Sequence, residues 1–146
     1  MKLLGLPFSG GGLGHGNEAN KAPALIKQHL EELFANEDGM TATWDYEELQ
    51  LDETAIKESH AAIEDAVAEL DGNAILLGGD HSVTYSAVKG FAQNNKDFWL
   101  IVFDAHPDLM SDFDPPTQEA YLRALIDEGV LDPQQCILIG VRNRDE

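Results

Sequence analysis

The chain has 146 residues, the size of one ordinary domain, and its 43% hydrophobic and 25% charged content reads as globular rather than disordered. Lys+Arg 9 against Asp+Glu 27 gives a formal net charge of −18. That field repels phosphate backbones and anionic headgroups, so nucleic acid and membrane surfaces are not expected partners; it draws in guanidinium compounds and divalent metals, and it equally serves plain solubility.

Leu3-Leu4-Gly5-Leu6-Pro7-Phe8 reads as a first strand. It is too short for a signal-peptide core, and nothing approaches the roughly 18 apolar residues of a membrane span, so a cytoplasmic location is expected. The glycine-rich stretch from Ser9 to Asn17 fails as a phosphate loop, because Asn17 stands where Lys is needed, and its glycines do not space as GxGxxG. It is expected to be a flexible loop on the ligand side, with His15 a loop residue. Pro23 suits a first helical turn, and Ile26, Leu30, Leu33 and Phe34 form one stripe, with His29 beside it. Thr41 to Tyr46 is a weaker second strand, expected from β-branched and aromatic content. Asp52 is placed as N-cap of a helix carrying Ile56, Ile63, Val67 and Leu70 and ending at Gly72; His60 on that face is expected packed and hydrogen-bonded.

Ala74 to Leu77 forms a third strand before Gly78-Gly79, and Ser82 opens a helix with Val83, Ala87, Val88 and Phe91 inward. Trp99 to Phe103 is a fourth strand. Asp112 to Pro116 is a loop, after which Thr117 caps a helix with Leu122, Leu125 and Ile126, ended by Gly129. Ile137 to Val141 is the fifth strand. Cys136 beside it is the single cysteine, an inert small hydrophobe that rules out an intramolecular disulfide or a thiolate cluster. Continuous apolar runs in the third, fourth and fifth strands predict coverage on both faces. The alternation predicts an α/β fold, a three-layer doubly wound parallel sheet with helices on both faces. Arg142 to Glu146 supply no helix after the last strand, so residues 1–146 are expected to be a partial domain with an apolar face and an edge exposed.

In open α/β sheets, ligands bind beyond the carboxyl ends of the strands. Gly78-Gly79-Asp80-His81-Ser82 follows the third strand there, and Asp104-Ala105-His106-Pro107-Asp108 the fourth. Asp104, His106 and Asp108 at i, i+2 and i+4 share one face of an extended segment, and the chain must curl after Asp104 to bring them onto a metal; Pro107 suits that curl. Two carboxylates with imidazole and no thiolate suit a hard or borderline divalent ion, Mn²⁺ better than structural Zn²⁺, and the two oxygens of Asp104 could bridge two ions. His81 gains weight from its position on the same sheet rim. Asp80 reads as holding a backbone contact or orienting a ligand rather than binding a metal itself. Arg142 is placed at the surface. No Gly-x-Ser-x-Gly elbow appears, and Cys136 has no evident base, so serine or cysteine nucleophiles have no support.

The two motifs, one short helix and a strand apart, resemble the first two metal motifs of the ureohydrolases, the superfamily of arginase, agmatinase and formimidoylglutamase. Leu3-Gly5-Pro7-Phe8 is similar to that family's opening strand, and Ile137 to Arg142 to the strand after the metal motifs. The resemblance covers essentially the whole chain and implies an arginase-like fold of which this is the N-terminal half. It implies that His81, Asp104 and Asp108 bind one Mn²⁺ and that Asp104 and His106 bind a second. A hydroxide bridging the ions would attack the carbon of a small cationic guanidino or amidino substrate and break a linear C–N bond. The family's later Ser-x-Asp-x-Asp motif and substrate-reading glutamate are absent, and Leu109 to Glu119 lacks the histidine of its His-Gly element. Catalytic and substrate-binding residues are therefore not assigned, and a homo-oligomer is left open. The family's strand order puts strands of the other half between the third and fourth strands. From that, His81 and Asp104 are not expected to be held together by this half alone, and the isolated chain is expected to bind Mn²⁺ weakly and turn over nothing. Two rivals stand beside this reading: a deacetylase-like hydrolase with one Zn²⁺, and a non-catalytic or truncated ureohydrolase-like metal-binding protein.

Overall fold

Five strands and four helices alternate along the chain in a computed structural model, which describes residues 1–14, 18–33, 35–41, 43–111 and 113–143. Strand β1 (Lys2–Leu6) lies between β2 (Asp45–Glu48) and β3 (Ala74–Gly78), and all three run parallel. Leu3, Leu4 and Leu6 are buried, as a middle strand demands. The second strand begins at Asp45, so of the expected run only Asp45 and Tyr46 are in it; Ala42 lies outside the described residues. Its register against β1, from Lys2↔Asp45 to Gly5↔Glu48, decided its position over the β-propensity of Thr41 and Thr43.

The described strands form two sheets rather than the single one expected, because β4 (Leu100–Phe103) pairs only with β5 (Cys136–Ile139), again in parallel. Period-2 alternation then splits their apolar runs. Leu100, Cys136 and Leu138 pack inward, while Ile101 and Phe103, 52% and 78% exposed, share the open face with Ile137 and Ile139. The expectation of two covered faces is thus corrected for β4 and β5, whereas the exposed apolar face is present. A cleft of about 1310 Å³ separates the sheets, lined by Ala74, Leu76 and Gly78 on one side and by Leu100 and Phe103 on the other.

Helices α1 (Ala22–Leu30), α2 (Ile56–Ala68), α3 (Val83–Asn94) and α4 (Tyr121–Asp127) connect the strands. In α1 the buried residue is Pro23, in the first turn as expected; Ile26 is exposed, Leu33 lies beyond the helix, and Phe34 is outside the described residues, so the predicted stripe is not a core face. Asp52 and Thr117 stand too early to cap. The Asp52 carboxylate accepts from the Thr54 amide and hydroxyl, the Thr117 carbonyl accepts from the Ala120 amide, and the helices begin at Ile56 and Tyr121. Both residues close turns ahead of their helices, Asp52 through its side chain and Thr117 through its backbone carbonyl. Gly129, at φ 70°, ends α4 as expected. Helix α3 joins the two halves: Val83 and Ala87 pack with Leu4, Leu6, Phe8, Ile63 and Val67, while Tyr85 and Val88 pack with Tyr121, Leu122 and Leu125. Phe91, expected inward, is 45% exposed and meets Phe98 edge-on. No helix among the described residues is long and apolar enough to cross a membrane.

His60 is packed as expected, 4% exposed between Phe8 and Tyr85, with Nδ1 2.6 Å from Ser86 Oγ. Burial holds its pKa below the ordinary 6.5, outweighing the opposing pull of Asp80. The unfolded chain therefore binds a proton there before the folded one does. The resulting stability is whole above pH 6.5 and is lost as pH falls from that value toward the lower folded pKa. Thermal midpoints should drop on that descent, and His60→Gln should flatten the slope; an unchanged slope in the variant contradicts the assignment.

Candidate metal centre

The rim that carries the site begins where β1 and β3 end side by side. The Phe8 carbonyl accepts the Asp80 amide at 2.9 Å, and the backbone at Gly79 comes so near Phe8 that a Cβ there would overlap its carbonyl oxygen. Asp80, 7% exposed, accepts from the Ser82 amide at 2.9 Å, from the Ser82 hydroxyl, and from the Gly11 amide at 2.8 Å. Its carboxylate is spent on backbone, as expected, and it pins the first turn of the glycine-rich loop against the His81 turn. Gly11 also accepts from the Gln118 amide at 3.0 Å, which ties that loop to the segment leading into α4. His15, Gly16 and Asn17 lie outside the described residues, as does Asp112.

Asp104 leaves the end of β4 with its amide on the Ile139 carbonyl at 3.0 Å. The predicted curl follows and closes at Asp108, whose φ of 52° is left-handed. Backbone from beyond β5 braces it: the Arg142 amide donates to the Ala105 carbonyl at 2.8 Å, while the Arg142 side chain stays exposed. The curl turns Asp108 inward, 5% exposed, with Oδ2 3.0 Å from His81 Nδ1. Asp104 Oδ2 lies 3.3 Å from the same nitrogen. One donor atom each from His81, Asp104 and Asp108 falls within 4.8 Å of the others, a spacing that a single ion can bridge.

His106 is outside that trio. Its ring, half exposed, sits with Nδ1 3.5 Å from Asp104 Oδ1, the oxygen that also accepts the His106 amide at 2.9 Å. Asp104 therefore turns one oxygen to His81 and the other to His106. The expectation that this half cannot hold His81 near Asp104 is corrected. Strand pairing does not join them, but helix packing does: α3 follows His81, α4 packs on α3, and the core of that contact includes Leu100 of β4. Tyr121, at the start of α4, lies over the His81 ring with centroids 4.4 Å apart. Sequence reasoning passed over Tyr121, because an aromatic at a helix start carries no signal of its own. The donor set, carboxylate oxygen and imidazole nitrogen with Asp108 enclosed, fits a divalent cation of the Mn²⁺ type, and a sulfur ligand is not among the grouped residues.

Comparison with known proteins places the chain's family and fold. The model of the arginase family matches residues 1–146. Formimidoylglutamase of Bacillus subtilis (strain 168) is 32% identical over 152 residues, covering 96% of this chain and 47% of that protein. The crystal structure of the Bacillus subtilis enzyme superposes with a TM-score of 0.86 at 29% identity, over 99% of this chain and 48% of that one. A formiminoglutamase of Trypanosoma cruzi, solved with Mn²⁺, shares the fold at a TM-score of 0.82 and 16% identity, over 97% of this chain and 52% of its own. The chain spans about half the length of the relatives it matches. With an arginase-like α/β fold and the family's model matched from end to end, the chain belongs to the arginase family.

Proposed function

We propose that the chain is the metal-binding part of a hydrolase that cleaves linear C–N bonds in a guanidino or amidino compound at a pair of Mn²⁺ ions. The observation that carries this reading is the two-sided disposition of Asp104, one oxygen toward His81 and the other toward His106. His81, Asp104 and Asp108 would hold one ion, and Asp104 with His106 would contribute to the other. Paired divalent ions, when bound, supply hydroxide that is nucleophilic near neutral pH. This chain's residues contribute orientation. Asp80 fixes the turn that presents His81, and the braced curl at residues 104–108 sets the carboxylates. The net charge of −18 steers a cationic guanidinium or amidinium group toward the rim.

The 146 residues by themselves are proposed to bind Mn²⁺ weakly and to turn over nothing, since part of each coordination sphere would come from beyond them. The cleft between β3 and β4 lies where the resemblance expects strands of the other half. The test is a titration of the chain with Mn²⁺ and Zn²⁺, joined to an assay of the longest product of its reading frame on arginine, agmatine, guanidinobutyrate and formimidoylglutamate. Weak Mn²⁺ binding by the chain, with C–N cleavage of one of these by the longer product, is expected. Tight binding of a single Zn²⁺ with amide hydrolysis, or cleavage of none of the four, overturns the reading.

A further inference from the structure

The carboxyl ends of β3 and β4 meet at one rim, with His81 Nδ1 3.3 Å from Asp104 Oδ2, so both strands point the same way on either side of the cleft. Each has one bonded edge and one free edge. The Asp80 amide on the Phe8 carbonyl and the Asp104 amide on the Ile139 carbonyl set the phase, since backbone groups alternate sides along a strand. Even-numbered residues of β3 therefore face β1, and those of β4 face β5. The N–H and C=O of Ile75 and Leu77, and of Ile101 and Phe103, turn the other way, where no described strand pairs with them.

The floor of the cleft is common to both sides. Helix α3 packs Val83 and Ala87 with the core under β1 and β3, and Val88 with the core under β4 and β5, and all three residues line the cleft. Two parallel edges over one helix are parts of a single layer with its middle open. On the far face Ile101, Phe103, Ile137 and Ile139 form an exposed apolar surface, which parallel strands ordinarily keep covered.

The occupant of such a cleft must bring backbone, because an oily ligand would cover the walls and leave both rows of N–H and C=O unmet. An extended strand meets them. A second copy of this chain is a poor occupant, since two chains of net charge −18 repel each other. The relatives carry about as much chain again: this one covers 47% of formimidoylglutamase of Bacillus subtilis and 48% of the chain in its crystal structure.

We propose that the cleft is a strand-docking site that accepts the other half of an arginase-family domain from a separate polypeptide, its strands adding to the free edges of β3 and β4. The added strands run parallel to them, as every pairing in the two sheets does. The proposal stands on the free edges and the family; what it implies for metal rests on the metal-binding reading above. A parallel strand ends where its neighbours end, so docked strands deliver their last residues to the rim that carries His81 and Asp104.

The test mixes the 146-residue chain with the half of Bacillus subtilis formimidoylglutamase that it does not match, made as a separate polypeptide and diluted with it from urea. A complex of one copy of each is expected by light scattering. With the added half at about 100 times its Kd, hydrogen exchange at Ile75, Leu77, Ile101 and Phe103 should slow about 100-fold. Ile101→Pro removes a cleft-side donor and no bond to β5, so it should keep the fold and weaken the complex. Ile101→Lys keeps the donor but charges the open face, and should weaken it as well. Ile26→Lys, at an exposed apolar position of α1 outside the cleft, should not. Mn²⁺ affinity should rise in the complex by more than about 100-fold, because ligands missing from this chain are worth more than partners outside the coordination sphere. Three results overturn the proposal: two polypeptides that stay apart both when mixed and when co-expressed, a chain that dimerises alone with those four amides protected, or an Ile26→Lys loss equal to that of Ile101→Pro. A complex that forms without tighter Mn²⁺ binding overturns the metal reading and leaves the docking site standing.

Discussion

On the proposed reading, Asp104→Asn should abolish Mn²⁺ binding by the chain while leaving its fold in place. Asparagine keeps the shape of the side chain and a carbonyl oxygen for the His106 amide, now held at 2.9 Å by Asp104 Oδ1. It loses the charge and the second anionic oxygen, and with them a group that faces both His81 and His106. Loss of a partner outside the coordination sphere costs about 10–100-fold in affinity, so loss of the shared ligand should exceed about 100-fold. The metal-free variant should be no less stable than the wild type, because Asp104 and Asp108 are like charges gathered at His81 and removing one relieves repulsion. His106→Ala should be milder, since the trio of His81, Asp104 and Asp108 remains. Titration of the three proteins with Mn²⁺, alongside their thermal midpoints, checks this. If Asp104→Asn binds as the wild type does, the site does not use this carboxylate.

Gly79→Ala should be the most damaging single methyl on the rim. Its Cβ would overlap the Phe8 carbonyl oxygen, with the carbonyl carbon and amide of Phe8 close behind, and backbone cannot rotate away as a side-chain tip can. Overpacking of this kind costs about 1–3 kcal/mol and sometimes more. Relief requires β1 and β3 to separate where the Asp80 amide meets the Phe8 carbonyl, which would shift His81 as well. Stability to urea and Mn²⁺ affinity should therefore fall together. Gly14→Ala is the comparison: at φ 81° it carries backbone strain of roughly 1–3 kcal/mol, but its Cβ meets no atom of the described residues, and the metal site should not notice it. Equal affinity losses in the two variants would show that general stability, and not the placement of His81, governs binding.

Local chemistry determined much of this protein in the sequence alone. Apolar runs beside glycine and aspartate marked β1, β3, β4 and β5, and each motif stands at the carboxyl end of its strand, since strand length and turn chemistry are properties of a few adjacent residues. The need for a curl after Asp104 followed from the reach of an extended chain, and φ at Asp108 supplies it. His60 could be placed in the core because helical period assigns a face without knowing what covers it.

Whatever depended on which surfaces meet was decided by the tertiary structure. Propensity could not locate β2, whose position is set by pairing with β1, and periodicity could not show that Ile101 and Phe103 face open space. No spacing rule connects His81 with Asp104 or places Tyr121 over His81, because those contacts are made by α3 packing on α4 across residues far apart in the chain. Residue type and strand order picked out the candidate ligands; the packing of the helices brought His81, Asp104 and Asp108 to one point.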